Sequence, residues 1–230
     1  MQPYFFPYIG YFQLLAAVDR FVIYDDVTFI KQGWVNRNRM LINGEASFFT
    51  VPLAHKSSAI TIRETAISDA PEHRRWAEKL LKSFDNAYRR APEFASTFPI
   101  VERVLTKTTT RVADLAVESI TAVAGALDIR TPIGPSSSVY GNADLNGEDR
   151  VLAICRAEKA DRYVNVSGGR ELYSRERFKS DGVELRFIES KPIEYAQFGD
   201  AFVPWLSIVD VLMFNPIERV RELLRACEVA

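Results

Sequence analysis

Residues 148–188 read EDRVLAICRAEKADRYVNVSGGRELYSRERFKSDGVELRFI, and their pattern decides the fold class. Glu148 to Ala160 sets Val151, Leu152, Ile154 and Cys155 at helical spacing. Arg162 to Val166 is a run of β-formers, Ser167-Gly168-Gly169 is a turn, Glu171 to Ser180 is helical and Val183 to Ile188 is a second strand. A strand, a helix and a strand at this spacing predict a βαβ unit and parallel pairing. The expected class is therefore α/β: a Rossmann-like three-layer parallel or mixed sheet with a β-hairpin and a helical insertion.

Outward from this unit, Ile208 to Ala226 reads as largely helical, with Ser207 placed to cap it. Asp210 falls among Ile208, Val209, Val211, Leu212 and Phe214, where a carboxylate needs a partner. Pairing with arginine or backbone and a catalytic role both stay open. Residues 71–128 form a helical section, a lid or subdomain within one domain spanning 1–230. Pro71 starts it, and Trp76, Leu80, Leu81 and Phe84 follow at helical spacing. Arg39 to Leu53 predicts a hairpin around Asn43-Gly44, the type I′ signal. Arg20 to Val27 reads as a buried strand ending in two carboxylates, and Tyr11 to Val18 as a helix. Pro3 and Pro7 exclude a helix from the opening residues. Either Gln2 to Phe6 is itself a strand, or the dense turn follows a strand that the sequence lacks.

With 230 residues, 47% hydrophobic and 26% charged, the chain has the composition of a globular protein, not a disordered one. A net charge of −1 without a basic stripe argues against nucleic-acid partners. Cys155 and Cys227, each within a helical pattern, suit a reduced compartment, and with only His55 and His73 beside them no structural metal site has ligand spacing. No apolar run reaches membrane-span length, and no basic segment followed by an apolar one opens the chain. A cytoplasmic location is expected.

Four segments carry candidate chemistry. In the first, Gln2, Tyr4, Gly10 and Tyr11 precede or open a helix, where Gly10 permits close backbone approach and free N–H groups suit an anion. An aromatic packing corner explains the same residues. In the second, Asp25 and Asp26 end a strand, where α/β sheets bind ligands. They are candidates for a general base or for Mg²⁺ ligands, the cofactor in view being Mg²⁺ with a nucleotide. Lys31 and Arg37 are candidates to steady an anionic group, with Trp34, Asn36 and Asn38 lining the site; capping, or pairing with Arg37, is the simpler account of the carboxylates. In the third, Asn165, Ser167, Gly168, Gly169 and Tyr173 surround a βα turn that can cradle an anion, or simply needs glycine, with Tyr140-Gly141-Asn142 as a lid. The fourth holds Gln197 and the FVPWLSIVDVLMFN stretch. One shared cleft bordered by Tyr4, Tyr11, Asp25, Asp26, Arg37 and Ser167 is expected. No nucleophile elbow or Ser/His/Asp set occurs.

QPYFFPYIGYFQLL, FVIYDDVTFIKQGWVNRNRML, YVNVSGGRELY and FVPWLSIVDVLMFN, in this order over nearly the whole chain, resemble the WbqC-like protein family. The resemblance implies a strand ahead of the QP motif and a bacterial role in O-antigen-like glycan or specialised-metabolite assembly. The leading reading is a small-molecule transferase or ligase-type enzyme acting on a sugar, amino acid or nucleotide-activated intermediate. The alternative is a non-catalytic binding or scaffold protein of a glycan-assembly system.

Overall fold

The computed structural model describes residues 1–55, 59–199 and 201–230. Helix α1 (Ile9–Ala16) has Ile9 through Leu15 all buried, as befits a helix without a polar face. Strand β1 (Phe21–Ile23) follows, then the hairpin of β2 (Arg37–Ile42) and β3 (Glu45–Thr50). Asn43 and Gly44 have φ of 52° and 80°, the positive pair a type I′ turn demands, and Ile42 sits opposite Glu45. Helices α2 (Trp76–Tyr88), α3 (Phe94–Thr106) and α4 (Val112–Ala126) fill the middle, α2 being preceded by a short 3-10 turn at Pro71–His73. The chain continues through β4 (Ile133–Ser136), α5 (Gly147–Glu158), β5 (Arg162–Val166), α6 (Arg175–Ser180), β6 (Glu184–Ser190), α7 (Ile208–Phe214), α8 (Ile217–Leu223) and β7 (Cys227–Val229).

The βαβ expectation holds: β5 and β6 pair in parallel with α6 between them, and β7 adds antiparallel to β6. Beyond that unit the fold departs from the expected single Rossmann-like sheet. The strands form three separate ladders, β1–β4 (parallel), β2–β3 and β5–β6–β7. The physical reason lies at β1. One edge bonds β4, while the other is taken by Met1, whose nitrogen donates to Val22 O and whose carbonyl accepts from Tyr24 N. No edge of β1 is left to join the β5–β6 ladder. The opening residues lie beside β1 through Met1 and are otherwise irregular, so Gln2 to Phe6 is not a strand.

Other boundaries shift for local reasons. The strand expected over 20–27 stops at Ile23, because β4 ends at Ser136 and leaves Tyr24 onward without a ladder partner. The helix expected over 208–226 breaks at Asn215, which Pro216 holds extended (φ −133°, ψ 136°). Residues 167–172 wind as a 3-10 turn, and α6 starts only after the Ser174 cap. Cys227 lies in β7, not a helix.

One hydrophobic cluster runs from Phe5 to Leu224 and takes in α1, β1, the hairpin, α2–α4, α7 and α8. A second, smaller one gathers Val151, Leu152, Cys155, Phe178, Val183, Leu185 and Phe187 around α5, α6 and β6. The opening turn is fastened to the larger cluster at Phe6. The Phe6 carbonyl accepts from Asn38 Nδ2 (2.9 Å) and Ser207 Oγ (2.7 Å), and the Phe6 N–H donates to Ser119 Oγ (2.9 Å). Phe6 has a φ of 42°, a conformation these three bonds hold in place.

Candidate functional site

Asp25 and Asp26 stand just past the carboxyl end of β1, beside the carboxyl end of its parallel partner β4. From there Ser136 Oγ donates to Asp25 Oδ1 (2.5 Å), Ser137 Oγ donates to Asp26 Oδ1, and Asp25 N donates to Ser137 Oγ (3.2 Å). Arg150, on the first turn of α5, closes the cluster. Its Nη2 lies 2.5 Å from Asp26 Oδ2, with side chains only 5% and 9% exposed. Its Nε donates to Asn142 Oδ1 (3.2 Å), and its guanidinium lies 5.1 Å from the Tyr24 ring centroid.

Two adjacent carboxylates thereby acquire different characters. Asp26 is neutralised by a buried cation. Asp25, which has no ion pair among the described residues, is pushed above the ordinary carboxylate range by burial; the Ser136 bond and the Arg63 charge oppose this and the neighbouring Asp26 charge adds to it. A buried acid with raised proton affinity beside a fixed guanidinium can take and return a proton. The Tyr24 phenol is also pushed up by burial, with Arg150 opposing and Tyr173 adding.

The structure joins Asp25 and Asp26, places Tyr173 against Tyr163 and Phe178, and separates other residues expected in the same cleft. Arg37 does not pair with either aspartate: its guanidinium donates to the carbonyls of Gln32 and Gly33 and lies 4.6 Å from the Phe48 ring centroid. Lys31 is exposed in that loop. Trp34 is 38% exposed and packs on Phe48, with the Arg39 guanidinium 5.7 Å from its ring centroid. Arg39 also donates to Trp205 O, and Trp205 lies tilted against Tyr8, which makes a surface shelf of aromatic rings and guanidinium groups.

Several residues expected to bind ligand hold the fold. Asn36 Nδ2 donates to Val51 O, and Asn38 fastens the Phe6 turn. Tyr11 is fully buried, donates to Gln2 O and packs on Tyr4, so its ring is closed to a ligand. A Cβ on Gly10 would meet the Tyr8 ring at 2.4 Å, so the glycine makes room for a phenol of its own chain. Gly169 does the same for the Asn165 amide, 3.1 Å from its Cβ position. Asn165 in turn accepts from Val166 N and donates to Tyr163. Ser167 and Gly168 lie exposed at the end of β5. Asn142, expected in a lid, instead positions Arg150, and Tyr140 donates to Glu158.

Asp210 is fully buried and its partners are neither arginine nor backbone. Tyr88 (2.8 Å), Tyr195 (2.7 Å) and Gln197 (2.7 Å) all donate to its carboxylate, which burial nonetheless pushes above its ordinary range. Gln197 also accepts from Val203 N, so it clamps the loop before α7.

The residues do not fit a resident Mg²⁺. The aspartate oxygens are engaged by serines and Arg150, and among the described residues no three His, Cys, Asp or Glu side chains gather to hold a metal. Arg150, Ser136 and Ser137 escaped the sequence reading, and Asn142 was read only as part of a lid. The one available signal was Arg150 four residues before Ile154 on the apolar face of α5, since an arginine there needs a carboxylate.

A mixed α/β protein with a carboxylate–serine–arginine cluster at the carboxyl edge of two parallel strands is the class these elements define. The chain belongs to the WbqC-like protein family, whose model matches residues 2–222. It is similar to the uncharacterized protein Rv1507c of Mycobacterium tuberculosis, at 29% identity over 230 residues, covering 99% of this chain and 96% of the relative. No solved structure matches it. Among the described residues no helix is long and apolar enough to cross a membrane.

Proposed function

We propose that the protein is a small-molecule enzyme of transferase or ligase type, with Asp25 as its general base. The observation that carries this reading is the split pair: Asp26 locked to Arg150, and Asp25 beside it with raised proton affinity. Asp25 removes a proton from a substrate hydroxyl or amine as that atom forms its new bond to the transferred group. The leaving group departs with the electron pair of the broken bond, and Asp25 then releases its proton to water. Arg150 fixes Asp26 and supplies positive potential nearby. The substrate class is a sugar, amino acid or nucleotide-activated intermediate of bacterial glycan or specialised-metabolite assembly, which rests on the family resemblance.

The test is a thermal-shift panel of nucleotides, nucleotide sugars and acyl donors, with and without Mg²⁺, followed by product detection by mass spectrometry for the stabilising compounds. Asp25→Asn is expected to fold and to lose about 10²- to 10⁴-fold in turnover. Full turnover in folded Asp25→Asn overturns the assignment. The exposed shelf of Trp34, Phe48 and Trp205 favours a second reading, a binding or scaffold protein. That reading predicts ligand binding unchanged in Asp25→Asn and no product with any donor.

A further inference from the structure

We propose that the cleft at the opposite, amino-terminal edge of β1 and β4 is a second binding site, for a small phosphomonoester that also carries a hydroxyl donor. The cleft, open to solvent on one side, measures about 670 Å³, within the range of small-molecule sites. The end of α1, residues 127–131 leading into β4, and the segment from α8 into β7 form its walls. Asp25 and Asp26 follow the far ends of the same two strands, so the two sites share no residue.

Charge gives the first half of the specificity. Arg130, Arg221 and Arg225 line the cleft against a single carboxylate, Asp128, which is already bound to Arg130 at 3.2 Å. Arg221 Nε donates to Leu127 O (3.1 Å), which holds that side chain along the wall. Arg225 is exposed and has no ion-pair partner among the described residues. Three guanidinium side chains lining one cleft favour a phosphate through paired N–H donors.

Gln13 gives the second half. It lines the cleft, yet the residue is only 1% exposed. Its Nε2 donates to Leu223 O (3.0 Å) and Ala226 O (3.2 Å), which fixes the orientation of the amide. Oε1 is therefore an acceptor by necessity, and among the described residues no donor reaches it. A buried carbonyl oxygen without a donor is costly. A hydroxyl on the organic part of the bound molecule satisfies it while the guanidinium groups hold the phosphate, whereas free phosphate has only its own P–OH to offer and would have to leave those groups to supply it.

Isothermal titration calorimetry of the full chain with glucose 6-phosphate, inorganic phosphate and glucose tests this. Glucose 6-phosphate is expected to bind about tenfold more tightly than phosphate, and glucose to give no heat at millimolar concentration. Arg225→Gln, at an exposed position, should fold normally and lose about tenfold in affinity for both anions. Gln13→Met should bring glucose 6-phosphate down to the affinity of phosphate; if that variant fails to fold, the Arg225→Gln result and the preference of the unaltered protein still decide. Glucose 6-phosphate should slow alkylation of Cys227, which lines the cleft, and Asp25→Asn should bind it unchanged. No binding of glucose 6-phosphate, equal binding of phosphate, or undiminished affinity in Arg225→Gln overturns the proposal. Lost binding in Asp25→Asn would place the ligand at the other site and also overturns it.

Discussion

Asp26 and Arg150 are a buried pair whose worth is felt mainly when one member is removed. Asp26→Asn leaves the guanidinium buried without its carboxylate, and a loss of about 3–5 kcal/mol in urea denaturation is expected. The double variant Asp26→Asn/Arg150→Met removes both charges and should recover most of that loss. A double variant no more stable than Asp26→Asn would show that the pair is not the source. Asp210 offers a different signature. Its proton affinity in the folded chain is raised, so the folded state binds more protons than the unfolded one between the ordinary carboxylate pKa and the raised one. Its stabilising contribution is full below the ordinary value and is lost as pH rises through the raised one. The stability of the natural chain minus that of Asp210→Asn should therefore fall across that window and level off above it, measured by thermal melts at a series of pH values. A difference that rises with pH would contradict the burial argument.

Elements were legible where sequence and neighbours agree. The hairpin is the clearest case, since Asn43-Gly44 dictates its own turn and the flanking β-formers keep register without outside help. Gly44→Ala should cost about 1–2 kcal/mol from strain alone, because the added methyl meets no atom but φ is 80°; an unchanged urea midpoint would refute it. The βαβ unit was equally readable from its spacing. β4 and β7 were not, because Ile133-Gly134-Pro135-Ser136 and Cys227-Glu228-Val229 carry no alternation and exist only through the partners they meet. The candidate site was half legible for the same reason. Asp25 and Asp26 announce themselves at a strand end, whereas Ser136, Ser137 and Arg150 reach them across more than a hundred residues of chain. Tyr11, Asn36 and Asn38 look like ligand-binding residues in sequence, but their polar atoms are spent on backbone carbonyls.

At the scale of the molecule, two hydrophobic clusters of unequal size imply unequal local stability. The small cluster around α5, α6 and β6 should open before the large one, so amides of β6 near Phe187 should exchange faster than those of α4 near Ile120 under native conditions. Equal exchange in both would show one cooperative unit. Arg150 sits on α5 at the margin of the small cluster, so its opening would carry the guanidinium away from Asp26 and couple the site to that motion. The aromatic shelf has an optical counterpart. Trp34 is 38% exposed, Trp205 is 64% exposed and Trp76 is only partly covered, so the native chain already emits from indoles in contact with water. Tryptophan fluorescence will register unfolding as a weak change in colour, while a quencher or ligand arriving at the shelf, where two of the three indoles stand, will dim it strongly.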